Sequence, residues 1–223
     1  IANGMAYDDI IRVADLKTRA PRLTRIRQEM GANDDNLVEL TEFFHPRAEE
    51  IASLMPAKMG EKWETNPKRT ALLDRLFNKG RRLRTHKLGS FVVLNFLGGL
   101  QAYRLKTRRH AVEVTHLEAW LADSLAVLEH DYALAVELLK NRRLIKGYSD
   151  THARGCTKFD PVMGAASLLI GREDAADWMN RLRDAAWQDP EGTALEGALQ
   201  TVRSFVCGLH EKKPDTTVKY LNL

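Results

Sequence analysis

Cysteine is nearly missing: the 223 residues hold two, Cys156 and Cys207. Two thiols cannot ligate an all-cysteine iron–sulfur cluster or a structural zinc site that needs three or four thiolates. They cannot build a disulfide scaffold either, and so low a count fits the reducing cytoplasm, the location expected for this chain. Long apolar runs are lacking too. The longest uncharged stretch, Leu88–Tyr103, is sixteen residues with three glycines. A membrane span needs roughly 20 apolar residues, so this stretch reads as a buried helix and no membrane partner is expected. Phosphate-cradling loops of the Gly-x-x-x-x-Gly-Lys-Ser/Thr and Gly-x-Gly-x-x-Gly types are absent. So is a sustained apolar–polar alternation of the kind that marks a half-buried strand. The chain opens Ile1-Ala2-Asn3-Gly4, with neither an initiator methionine nor a signal peptide. It is therefore expected to be a piece of a longer polypeptide.

What is present is ordinary for a globular protein, 44% hydrophobic and 29% charged, and its periodicity is helical. Apolar positions from Tyr7 to Met30 recur at helical spacing, and Pro21 either kinks this helix or begins a second one. His45-Pro46 and Asn66-Pro67 are start signals, with proline at the first helical position. Thr107 can cap a long helix over 108–146, whose apolar stripe is Val114, Leu117, Leu121, Leu125, Leu128, Tyr132, Ala135 and Leu139. Asp160-Pro161 reads as a further start, and Thr193–Cys207 as the last helix. The expectation is all-α: a single globular domain over residues 1–223, of about seven to nine helices, with one long central amphipathic helix.

Charge is unevenly placed. Residues 61–110 carry thirteen Lys/Arg against three Asp/Glu, while each of the segments 1–60, 111–160 and 161–223 is net −2. A local basic surface attracts anions. One cluster, Lys79, Arg81, Arg82, Arg84 and Lys87, precedes the apolar helix. A second, Arg104, Lys106, Arg108 and Arg109, follows it. These nine residues are the candidate partner-docking set. The plain alternative is a solvated basic rim. Nucleic acid is disfavoured, because the clusters lack interleaved aromatics and match no nucleic-acid module.

Other constellations carry less. Glu42…His45 and Glu113…His116 are Glu-x-x-His pairs of the kind found in di-iron bundles. Pro46 argues against Glu42 and His45 sharing a helix, and no metal site is expected. Cys156 has cationic neighbours and His152 four residues away, yet a nucleophile needs an oriented base, and the spectator thiol is the simpler reading. No catalytic residue is assigned. The polar segment 146–155 reads as a loop after a long helix. Its Lys146, Tyr148, Asp150, His152 and Arg154, joined by Arg19 and Arg47, form a candidate anion-binding set for a carboxylate or a coenzyme A phosphate. A loop that simply caps a helix is the competing reading.

Three stretches stand together in order and spacing: Met5-Ala6-Tyr7-Asp8-Asp9-Ile10-Ile11-Arg12-Val13-Ala14-Asp15-Leu16-Lys17-Thr18-Arg19; Glu42-Phe43-Phe44-His45-Pro46-Arg47-Ala48-Glu49-Glu50-Ile51; and Arg143-Leu144-Ile145-Lys146-Gly147-Tyr148-Ser149-Asp150-Thr151-His152-Ala153-Arg154-Gly155. With Ala185-Ala186-Trp187-Gln188-Asp189-Pro190-Glu191-Gly192 they resemble the C-terminal helical region of the beta-type subunit of indolepyruvate ferredoxin oxidoreductases. The resemblance implies a parent enzyme that oxidatively decarboxylates aryl 2-oxoacids with thiamine diphosphate, iron–sulfur clusters and coenzyme A. It also implies partners: the parent's other domains, its second subunit, and ferredoxin as electron acceptor. It places those cofactors elsewhere in the enzyme, so none is expected within this chain, and the chain alone is not expected to be catalytic.

Overall fold

The computed structural model describes residues 1–210 except Asp8, Asp34, Tyr148, Ser149, Asp189 and Pro190; the side chains of Asn3, Arg81, Asp150 and residues 206–210 also lie outside the description. The fold is mostly α-helical, with one small two-stranded sheet. Its contacts divide into two compact units, Ile1–Leu117 and Glu118–Leu223, and the division falls inside a helix.

The first unit holds α1 (Ala2–Met5), α2 (Ile10–Thr18), α3 (Ala20–Glu29), β1 (Thr41–Phe44), α4 (Ala48–Ser53), α5 (Ala57–Glu64), α6 (Pro67–Phe77), β2 (Arg81–Arg84), α7 (Leu88–Gly99), α8 (Gln101–Arg104) and the start of α9 (Arg108–Leu128). Local chemistry sets the boundaries. The Asp9 carboxylate accepts from the Arg12 N–H at 2.8 Å and begins α2. Arg19 is extended, and Pro21 falls in the first turn of α3, so the chain starts a second helix there. Asn66 accepts from the Lys68 and Arg69 N–H groups, with Pro67 as the first residue of α6. Thr107 accepts from the His110 N–H at 3.2 Å, as a cap for α9.

Two packed regions hold this unit. Ile11 and Ala14 of α2 meet Leu94 and Gly98 of α7, all but Gly98 at or below 1% exposure. Gly98 is required by that packing: a Cβ there would stand 2.8 Å from the Asp15 Cα. Ala48, Ala52 and Leu73 form a second cluster, with Ile51, Met55, Trp63 and Phe77 against it. Each large aliphatic side chain so buried contributes about 1.5–3 kcal/mol.

Two expectations are corrected here. The helix of 88–103 is not buried all round: α7 shows Leu88 (79% exposed), Val92, Val93 and Phe96 (68%) on its outer face. A sheet is also present. β1 and β2 pair antiparallel, with Thr41 opposite Arg84 and Phe43 opposite Arg82. Each strand is four residues long, and Arg-Arg-Leu-Arg carries no apolar alternation for the sequence to show.

The second unit holds the rest of α9, then α10 (Tyr132–Lys140), a 3₁₀ turn (Asn141–Leu144), α11 (Asp150–Gly164), α12 (Ala166–Leu169), α13 (Ala175–Gln188) and α14 (Thr193–His210). The expected helix of 108–146 is broken at Asp131, which is extended and caps α10 by accepting from the Leu134 N–H at 2.9 Å. The expected stripe is also rotated. The buried line along α9 is Glu113, Leu117, Trp120, Ser124 and Val127, whereas Leu125, Leu128 and Tyr132 are exposed. Trp120 decides this: its indole N–H donates to the Leu138 carbonyl at 3.0 Å, and the Ser124 hydroxyl donates to the Trp120 carbonyl. Pro161 lies within α11 and begins no new helix. In this unit Leu134, Leu138, Val162, Leu169, Met179, Leu182 and Val202 are fully buried.

One charged group is buried in this core. Arg183, 4% exposed, donates to the Glu137 carboxylate at 2.6 Å and to the Glu137 carbonyl at 3.2 Å. It also donates to the side-chain oxygens of Asn141 and Asn180. Burial alone would raise the Glu137 carboxyl, but the Lys140 and Arg183 donors hold it below the usual carboxylate range. An arginine so satisfied is a structural knot.

Candidate interaction surface

The β1–β2 ribbon has two different faces. Glu42 and Phe44 are half-buried, and Thr41 and Phe43 point out. Inward, Glu42 takes ion pairs from Lys17 and from Arg22, the latter at 2.7 Å. Its burial would raise the carboxyl, but these two cations hold it below its ordinary value. Outward, Phe43 is 75% exposed, and the Arg82 guanidinium lies 5.6 Å from its ring centre. Arg84, Lys79 and Lys87, on β2 or flanking it in the chain, are exposed too, and the Arg81 side chain lies outside the described residues. Sequence reading missed Phe43 as part of this surface. The signal was two adjacent phenylalanines, Phe43-Phe44, directly after Glu42, but only the pairing with β2 brings Phe43 to Arg82.

The second cationic cluster behaves differently. Arg104 donates to Asp9 at 2.5 Å and to the Tyr7 carbonyl at 2.6 Å, and stacks 3.9 Å over the Tyr7 ring. Tyr7 in turn shares a 2.8 Å hydrogen bond with His110 Nδ1; burial raises its pKa against the opposing Arg104 charge. Arg108 pairs with Glu64 at 3.0 Å, and Arg109 with Glu113 at 2.9 Å. Three of these four side chains are thus engaged in the fold, and Lys106 is exposed. Of the nine candidate docking residues, Lys79, Arg82, Arg84, Lys87 and Lys106 are exposed. No Asp or Glu occurs between Asp74 and Glu113 to offset them along the chain.

The candidate anion-binding residues divide between the units. Arg19 and Arg47 are in the first. Arg19 pairs with Asp15 at 2.5 Å, and the Arg47 N–H donates to Glu50 ahead of α4. In the second unit, residues 150–155 are the first turns of α11, not a loop. Gly155 explains the close packing there, since a Cβ would stand 2.8 Å from the Leu144 carbonyl oxygen. Lys146 and Arg154 are exposed, and His152 Nδ1 is 3.7 Å from the Cys156 sulfur. Tyr148 lies outside the described residues, as does the Asp150 side chain.

Glu42 lies on a strand, so the Glu42…His45 pair is not helical, whereas Glu113 and His116 share α9, where Glu113 pairs with Arg109. Among the described residues no group of three or more His, Cys, Asp or Glu could hold a metal ion. A hollow of about 400 Å³ in the second unit is lined by Val127, His130, Asp131, Ile170, Arg172 and Glu173. Asp131 is committed to capping α10, and Arg172 is bound to Asp174 and stacked on Phe205. Among the described residues no helix is long and apolar enough to cross a membrane.

Residues 1–165 match the family described as a family of unknown function, DUF6537. No curated protein matches the chain, and no solved structure matches it.

Proposed function

The chain belongs to this family of unknown function, and we propose, on the motif resemblance rather than on that membership, that it is an accessory helical domain of a cytoplasmic 2-oxoacid ferredoxin oxidoreductase of the indolepyruvate type. In this reading it assists subunit assembly or the docking of the electron carrier, and chemistry belongs to the parent enzyme. Thiamine diphosphate, coenzyme A and clusters are held elsewhere: two cysteines do not fit an all-cysteine cluster. The resemblance of residues 5–19, 42–51 and 143–155 supports the parent. The single observation that carries the role is the outward cation group Arg82, Arg84 and Lys87 in a stretch with no offsetting carboxylate. Such a patch steers an acidic partner by long-range attraction, screened over about 8 Å at physiological salt.

The test is a charge reversal, Arg82→Glu with Arg84→Glu and Lys87→Glu, in the intact subunit pair. Arylpyruvate oxidation is followed with an artificial dye and with ferredoxin. Retained dye activity with weakened, salt-insensitive ferredoxin activity identifies carrier docking. Loss of both, with the subunits no longer co-purifying, identifies assembly. Unchanged activity by both routes, or a parent polypeptide without a 2-oxoacid oxidoreductase domain, overturns the proposal.

A further inference from the structure

We infer that the outward seam of α7 is a docking site for a helix of a partner protein, one whose own apolar seam is rimmed by carboxylates. The inference deepens the assembly role proposed above and rests on that reading only for who the partner is.

The first observation is an apolar face that no described residue covers. Leu88, Val92, Val93 and Phe96 are 53–79% exposed on a helix whose other side is packed on α2. Isolated exposed apolar residues need no explanation, but a contiguous line along one helix does. The second is a pair of glycines that the fold does not use. Gly98 is forced by the Asp15 backbone, whereas a Cβ on Gly89 or Gly99 would meet nothing within 4 Å. Neither is among the glycines with positive φ. They are the second and last residues of α7, so both ends of its outward face lack a side chain and leave room for another backbone to approach closely. Gly89, Val92, Phe96 and Gly99 are spaced three, four and three residues apart, which is the seam spacing of helix-on-helix packing.

Charge selects the occupant. Arg82, Arg84 and Lys87 are exposed next to the N-terminal end of α7, whose first turn has no acidic residue. Free N–H groups at that end add positive potential. A helix with carboxylates at the corresponding end complements it, and one rimmed with lysine is repelled. A lipid surface fits less well. The exposed line from Leu88 to Phe96 is only about 12 Å long at 1.5 Å per residue, and its cations gather at one end, whereas interfacial helices carry theirs along a whole polar face.

The experiment selects binders for the whole chain from a display library of helix-forming peptides, randomised in seam and rim. Enriched peptides are measured by fluorescence anisotropy. The expected winners carry an apolar seam at three–four spacing, with Asp and Glu in excess over Lys and Arg. Phe96→Asp and Val92→Asp each weaken them at least about tenfold, the loss expected of a central contact. Gly99→Ala also weakens binding while the melting temperature holds or rises, a result that misfolding cannot produce. Winners without seam or acidic bias, or binding indifferent to these variants, overturn the inference. So does Phe96-dependent binding of the chain to anionic phospholipid vesicles, or Phe96-dependent self-association in sedimentation. If the subunit-pair assay fails while these peptide results hold, the parent assignment is wrong and the docking site stands.

Discussion

Glu42 is a residue whose neighbours decide its chemistry. Lys17 and Arg22 both reach it, and its carboxyl lies below the ordinary value of 4.5. A group depressed in the folded state contributes stability above its unfolded pKa and loses it as pH falls through the folded one. Glu42→Gln is therefore expected to cost about 1–2 kcal/mol at pH 7. Below about pH 4 the gap between variant and parent should narrow. Urea unfolding at pH 7 and pH 3.5 measures this, and a pH-independent gap would mean that shape, not charge, matters at this site. Arg104 shows why such roles are hidden in a sequence. Its partner Asp9 is 95 positions away, and nothing local distinguishes it from Arg82, which stays in solvent.

At the scale of elements, caps were legible and faces were not. Asn66-Pro67, Thr107 and Pro21 announced helix starts because the capping side chain and the helix it serves are adjacent in sequence. The break at Asp131 was invisible to periodicity, since apolar steps of three and four residues continue across it from Leu128 to Tyr132 and Ala135. The rotated face of α9 has a different cause. An apolar count favours Leu125 and Leu128, but the bulk and hydrogen bond of Trp120 turn Ser124 inward instead. The ribbon was missed because its pairing is long-range and its strands are short. Of the candidate site, the cations were legible as a cluster, but not which of them the fold consumes. Asp131→Ala tests the break: removing the cap is expected to cost about 1 kcal/mol, or about 2–4 °C in melting temperature for a chain of this size. Unchanged stability by calorimetry would mean that α9 and α10 can fuse into one helix without loss.

On the scale of the whole molecule, the features on which both proposals rest concentrate in one window. Residues 61–110 hold the net positive charge, and the outward face of α7 lies within the same window. Each compact unit also has its own buried polar anchor, Arg104 with Asp9 in the first and Arg183 with Glu137 in the second. Lesions are thus expected to be felt mainly within the unit that bears them. Tryptophan placement makes this measurable. Trp63 packs on the Ala48–Ala52–Leu73 cluster of the first unit, and Trp120 is 6% exposed in the second. With the other three tryptophans changed to phenylalanine, Trp120 should emit at shorter wavelength than Trp63, and Glu42→Gln should displace the Trp63 unfolding curve more than that of Trp120. Equal displacement would show a single cooperative transition. The indole that turned α9 is in this sense a built-in lamp: its colour reports whether the α9–α10 contact is closed, with no label attached to the chain.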